Sequence, residues 1–142
     1  MKSIEELSFP SDVKYTDDHE WAKVEGDLVR VGISDYAQDQ LGEIVYIELP
    51  EAGEAYAKMD KVGTIESVKT VSDLFTPVGG EVVELNPSLM DRIGGDENPD
   101  FHPENVNQDP YGEGWILKIK MTNPAEAKEL MSLGDYKALI GE

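Results

Sequence analysis

The chain has 142 residues, enough for one domain with its own core, and no cysteine, which excludes disulfides, thiolate metal sites and a cysteine nucleophile. Asp and Glu number 30 against 12 Lys and Arg, a formal net charge of -18. Such a surface repels nucleic acid and anionic membrane, and suits either plain solvation or a basic partner. No stretch approaches the roughly 20 apolar residues of a membrane span. The acidic opening Met1-Lys2-Ser3-Ile4-Glu5-Glu6-Leu7 lacks the features of a signal or transit peptide. A soluble protein of the cytoplasm is expected.

In chain order, residues 1–11 read as a loose arm and residues 13–15 as a short edge strand. Residues 19–24 and 28–33 form a hairpin around Glu25-Gly26-Asp27, the second arm alternating as Leu28-Val29-Arg30-Val31-Gly32-Ile33. Ser34 is placed to cap a short helix over residues 35–41, with Asp35 at its positive end and Gly42 suited to a left-handed C-terminal position. Residues 42–49 read as a strand ended by Pro50, and residues 81–85 as another stopped by Asn86-Pro87. Gly42-Glu43-Ile44-Val45 echoes Gly80-Glu81-Val82-Val83, which suggests approximate internal symmetry.

Residues 88–108 are the least regular part, with Gly94-Gly95, Pro99, Pro103 and many acids. After the turn cluster Asp109-Pro110-Tyr111-Gly112-Glu113-Gly114, residues 115–121 alternate as a half-buried strand. Asn123, Pro124 and Glu126 have the spacing of a capping box, predicting a helix over residues 125–133 ended by Gly134, then a last short helix over 136–140.

Between the apolar runs Val62-Gly63-Thr64-Ile65 and Leu74-Phe75-Thr76-Pro77-Val78 lies the polar crest Glu66-Ser67-Val68-Lys69-Thr70-Val71-Ser72-Asp73. Two strands with such a crest make a hairpin that projects Lys69 into water. The residues alone leave two readings open. Lys69 is a solvated lysine that discourages edge pairing, or it is an amine presented for chemistry. Turn propensity does not decide, because Val68-Lys69-Thr70 has neither Gly nor Asn.

Little else offers catalysis. Two histidines, His19 and His102, are thin material for a triad or a His-rich metal site. The acids of residues 91–109 lack the glycine that a calcium loop of the EF-hand type needs, and Gly79-Gly80 has no phosphate-loop context. A metal-assisted hydrolase using the acidic loop would keep turning over with Lys69 replaced, whereas a carrier would fall silent. An unmodified binding module is the other alternative.

Several blocks, in order, resemble the H-protein family of the glycine cleavage system. They are His19-Glu20-Trp21, Gly32-Ile33-Ser34-Asp35-Tyr36-Ala37-Gln38-Asp39-Gln40-Leu41-Gly42, Val45-Tyr46-Ile47-Glu48-Leu49-Pro50, Glu66-Ser67-Val68-Lys69 with Ser72-Asp73, Pro77-Val78-Gly79-Gly80-Glu81-Val82, and Asp109-Pro110-Tyr111-Gly112-Glu113-Gly114-Trp115. The resemblance covers nearly the whole chain. It implies a mainly β fold, a barrel-sandwich hybrid of lipoyl type with a short helix near residues 35–41 and a C-terminal helix, in a single domain over residues 1–142.

The resemblance also implies a non-catalytic carrier with lipoate joined covalently to Lys69. Biotin carriers share the fold class, but their lysine is flanked by Met, whereas here the neighbours are Val68 and Thr70. In the family the arm takes an aminomethyl group from glycine decarboxylase to aminomethyltransferase and is reoxidised by dihydrolipoamide dehydrogenase. A lipoate ligase or lipoyltransferase attaches the arm. By position, Glu20 and Asp73 would hold the ammonium of the loaded arm in a cleft, and Glu66 and Ser67 belong to the recognition motif. No metal is implied, and the carrier is expected to be a monomer. Residues 92–104 look like extra sequence. A second group of lipoate-binding carriers resembles H-proteins and serves sulfur oxidation beside a heterodisulfide-reductase-like complex, and that is the alternative.

Overall fold

The computed structural model describes residues 2–141. In order, the elements are β1 (Lys14–Tyr15), β2 (Glu20–Glu25), β3 (Leu28–Ile33), α1 (Asp35–Leu41), β4 (Ile44–Glu48), β5 (Ala55–Tyr56), β6 (Lys61–Ser67), β7 (Val71–Phe75) and β8 (Gly80–Leu85). There follow β9 (Arg92–Ile93), β10 (Asp96–Glu97), α2 (Asn105–Gln108), β11 (Leu117–Met121), α3 (Ala125–Lys128) and α4 (Leu133–Gly141). Six strands form one antiparallel sheet in the order β1-β2-β3-β11-β8-β5, and β4-β6-β7 form a second. Val29, Val31 and Ile119 of the first sheet and Ile47, Ile65 and Leu74 of the second lie in one buried cluster. Removing such branched side chains from water is the main stabilising term, roughly 1.5–3 kcal/mol each. No helix among the described residues is long and apolar enough to cross a membrane.

The helix expected at residues 35–41 forms as read. Ser34 Oγ accepts the Ala37 N–H at 3.1 Å, and Gly42 follows with φ +82°. The two echoing segments fall in different sheets, in β4 and β8.

Three expectations need correction. The arm of residues 1–11 is not loose over the residues described. A 3-10 turn at Ile4–Glu6 is tied at Ser3, the Ser8 N–H donates to Asp35 Oδ2 at 2.8 Å, and the Tyr15 hydroxyl donates to Pro10 O. Its Phe9 packs edge-on against Tyr15 and Tyr136. Residues 88–108 are more regular than their composition suggests. Gly94 and Gly95, at φ +62° and +88°, turn the two-strand ribbon β9–β10, and α2 closes the segment. The helix over residues 125–133 stops at Lys128, and Gly134 lies inside α4 rather than ending a helix. The capping box does not close, because Glu126 Oε1 accepts the Gly79 N–H at 2.9 Å instead. Met131 is drawn into an antiparallel bridge with Tyr15.

That bridge carries α4 back over the start of the first sheet. Tyr136 is fully buried and stacks on Tyr15, centroids 4.6 Å apart and planes 4° from parallel. Trp21, 1% exposed, completes this second cluster and donates its indole N–H to Pro110 O at 3.0 Å.

Candidate functional site

The hairpin of β6 and β7 is in register from Thr64 opposite Asp73 to Glu66 opposite Val71, which leaves Val68, Lys69 and Thr70 as the tip. Ser67 supplies what the turn lacks in glycine. Its hydroxyl oxygen accepts the N–H of Thr70 at 3.1 Å and of Lys69 at 3.3 Å, while its own N–H donates to Thr70 O at 2.8 Å. The Val68 N–H donates across to Glu43 O at 3.0 Å, pinning the tip to the residue before β4. A serine side chain thus stands in for backbone turn chemistry. Ser67→Ala is expected to cost about 1 kcal/mol and to loosen the tip at Lys69. Denaturant midpoints and amide hydrogen exchange at Lys69 and Thr70 check both.

Lys69 is exposed, between the exposed Val68 and Thr70. Its stem runs over Gly42, where an added Cβ would sit 3.4 Å from Lys69 Cε. The positive φ of Gly42 favours glycine there, while the lysine stem is in ordinary contact and could shift.

Gly42 follows Leu41, which lines a cavity of about 310 Å³ between α1 and the β2–β7 side of the molecule. Ile33, Ala37, Leu41 and Ile65 make an aliphatic wall, and Asp18, Glu20 and Asp73 contribute carboxylates. A shallower recess of about 430 Å³ shares Asp18, His19 and Asp73 and adds Asp17. The two acids expected to act together do line one cleft. Glu20 is the inner one, 1% exposed; its Oε1 accepts the Thr16 hydroxyl at 2.6 Å, and its Oε2 lies 3.4 Å from the Phe75 N–H. Burial pushes the Glu20 carboxyl up to about 7, opposed by the Thr16 hydrogen bond. Asp73 sits at the exposed rim, 3.2 Å from Lys61 Nζ.

The other two expected recognition residues do not line the cleft. Ser67 is spent on the turn. Glu66 is not among the residues lining the cleft; by register it shares the Thr64–Asp73 face of the hairpin, opposite the Ile65–Ser72 pair, and Asp73 borders the cleft from the exposed edge strand β7. Asp18, His19 and Tyr36 also line the cleft and were not among the expected site residues, although His19 was weighed as a histidine site. The run Asp17-Asp18-His19-Glu20, four titratable residues in a row, was the available signal.

His19 adopts φ +72°, and its backbone is held by Thr16 O on one side and the Ser34 N–H on the other. Its ring lies against Tyr36, centroids 5.1 Å apart, and burial lowers its pKa below the usual histidine value.

The lining suits a long aliphatic arm that ends in an ammonium, with apolar walls for the chain and carboxylates for the charge.

Comparison with known proteins gives the same picture. Residues 13–142 match the model of the family described as glycine cleavage H-protein. The chain is 51% identical over 134 residues to the glycine cleavage system H protein of Bacteroides fragilis, covering 94% of this chain and 98% of the relative. It is 48% identical over 133 residues to that of Symbiobacterium thermophilum, at 94% and 96% coverage. A crystal structure of a glycine cleavage system H protein from Mycobacterium marinum superposes with a TM-score of 0.80 at 36% identity, covering 94% of this chain and all of that one. The two sheets with their short helices are the lipoyl-type barrel-sandwich architecture.

Proposed function

The chain belongs to the glycine cleavage H-protein family, and from that membership we propose that it is a non-catalytic carrier in glycine cleavage, with lipoate joined by an amide to Lys69. The observation that carries the proposal is the placement of an exposed lysine at a hairpin tip, its stem over Gly42, one residue after the Leu41 that lines a cleft with aliphatic walls and acidic residues. When bound, lipoate supplies the redox-active sulfurs and the point of attachment for the aminomethyl cargo.

The residues of this chain do the rest. Ser67 holds the tip open for the enzyme that attaches the arm. Val68 and Val71, 68% and 60% exposed, give that enzyme an apolar grip on either side of the lysine, and Glu66 a charge outside the cleft lining. Ile33, Ala37, Leu41 and Ile65 keep water from the seated arm, and Glu20 and Asp73 pair with its ammonium. The tether keeps the arm at high local concentration at each partner. Those partners are glycine decarboxylase, aminomethyltransferase and dihydrolipoamide dehydrogenase. The relatives named above give the sulfur-oxidation alternative no support.

The test is a loading assay. The lipoylated chain, its dithiolane in the oxidised disulfide form, is incubated with glycine and a glycine decarboxylase, and its intact mass is read. A mass gain of one methylamine is expected, the aminomethyl group on one sulfur and a hydrogen on the other as the disulfide opens and CO2 leaves. A lipoylated chain that never loads with an active decarboxylase would overturn the glycine-cleavage role.

A further inference from the structure

We infer that Tyr136 of α4 is a positioning residue for His19. Together with Ser34 it fixes the imidazole so that Nε2 carries the proton and offers a hydrogen bond to an acceptor atom of the arm seated in the cleft. The inference rests on the carrier reading above for the arm, and on the geometry of this chain for the imidazole.

The argument is proton accounting. Ser34 Oγ is fully buried and accepts the Ala37 N–H, so its own proton needs an acceptor. The recorded partner is the Tyr136 hydroxyl, 2.7 Å away. With Ser34 donating to Tyr136, the phenol proton is free to go only to His19 Nδ1, 2.9 Å away. Nδ1 is then an acceptor and the imidazole proton sits on Nε2. The reverse order would leave the Ser34 hydroxyl proton buried without a partner, at a cost in stability. The ring is held on three further sides: by Tyr36, by the edge of Tyr136, and by its own left-handed backbone.

Among the polar groups of the cleft, Tyr36, Gln40 and Ser72 are neutral hydrogen-bonding groups, and His19 is the one whose ring is fixed by a hydrogen bond to Tyr136. Asp18, Glu20 and Asp73 are acceptors when ionised, fit for an ammonium. His19 lines the same cavity and adds a neutral donor for an arm atom that carries a lone pair. The C-terminal helix, on the far side of the Tyr15 stack, thereby bears on how long the arm stays seated.

The test uses the full lipoylated chain. Long-range proton–nitrogen spectra of the imidazoles report the tautomer directly. With only two histidines in the chain, the exposed His102 serves as reference. The unloaded wild-type protein is expected to show the Nε2–H form of His19 near neutral pH. Tyr136→Phe keeps the ring stack but removes the hydroxyl. It should shift His19 away from that single form and speed loss of the aminomethyl cargo several-fold, followed by intact mass. A purely structural role would lower the thermal midpoint without moving the tautomer. An Nδ1–H form in the wild type, or cargo retention unchanged in Tyr136→Phe, overturns the inference.

Should that variant not fold, His19→Asn and His19→Ala replace it. Asn tolerates the left-handed backbone and keeps an N–H donor, so it should retain cargo better than Ala; equal retention overturns the inference. Failure of the wild-type chain to load at all removes the carrier reading and the arm contact together, while the tautomer of the unloaded chain still tests the hydrogen-bond chain by itself.

Discussion

Lys69→Arg is expected to abolish lipoylation and cargo loading completely while leaving the fold unchanged. Arg keeps the charge and the length of the stem, so it rests on Gly42 as Lys does. What it lacks is an amine that can lose a proton and attack an acyl donor; the guanidinium stays protonated at any working pH. The site is exposed, and Lys69 makes no ion pair among the described residues, unlike Lys23, Lys58, Lys61 and Lys118. A surface change of this kind moves stability by no more than about 0.5 kcal/mol. Mass spectrometry after exposure to a lipoate ligase gives the first result and a denaturant curve the second. Lipoylation that persists on another lysine would remove Lys69 from its role. A collapsed denaturant midpoint would mean that the tip is part of the packing rather than a projection from it.

What could be read from the sequence was local. The β2–β3 hairpin and α1 follow from Gly26, Ser34 and Gly42, residues whose turn and cap chemistry acts within a few positions. The tip at Lys69 was not legible from propensity, because the turn depends on the Ser67 hydroxyl and on Glu43 O, contributed from a strand away. The C-terminal helix was over-read for the same reason. Asn123 does accept the Ala125 N–H at 3.1 Å, yet Gly79 claims Glu126 and Tyr15 claims Met131, and neither claim is visible in residues 123–134. The cleft lies furthest from any local signal. It gathers residues from β2, α1, β6 and β7, and the expectation for Glu20 and Asp73 came from the likeness of blocks to a family, not from spacing. That likeness also gave Glu66 and Ser67 as recognition residues, and neither lines the cleft.

Glu20→Gln is expected to make the protein more stable at pH 8 and a worse carrier. The folded Glu20 carboxyl titrates near 7 rather than at its ordinary 4.5, because burial disfavours the anion. Between those values the folded chain binds more protons than the unfolded one, so stability contributed by this group falls as pH rises from about 4.5 to about 7. The full cost of the buried anion above that window is about 3 kcal/mol. Gln removes it, but its amide N–H then opposes the Phe75 N–H, so a gain of about 1–2 kcal/mol at pH 8 and almost none at pH 4.5 is expected. His19 titrates with the opposite sign, since its lowered pKa costs stability as pH falls below the usual histidine value. It is common to both chains, so the difference between denaturant curves isolates Glu20. The seated ammonium reverses the balance, because an anion that is costly when alone becomes the partner of a cation. Losing that charge-assisted contact should shorten cargo retention by about 10-fold or more. Equal stability at pH 4.5 and 8 together with unchanged retention would show Glu20 to be a packing residue. Greater stability with unchanged retention would move the ammonium to Asp73 alone.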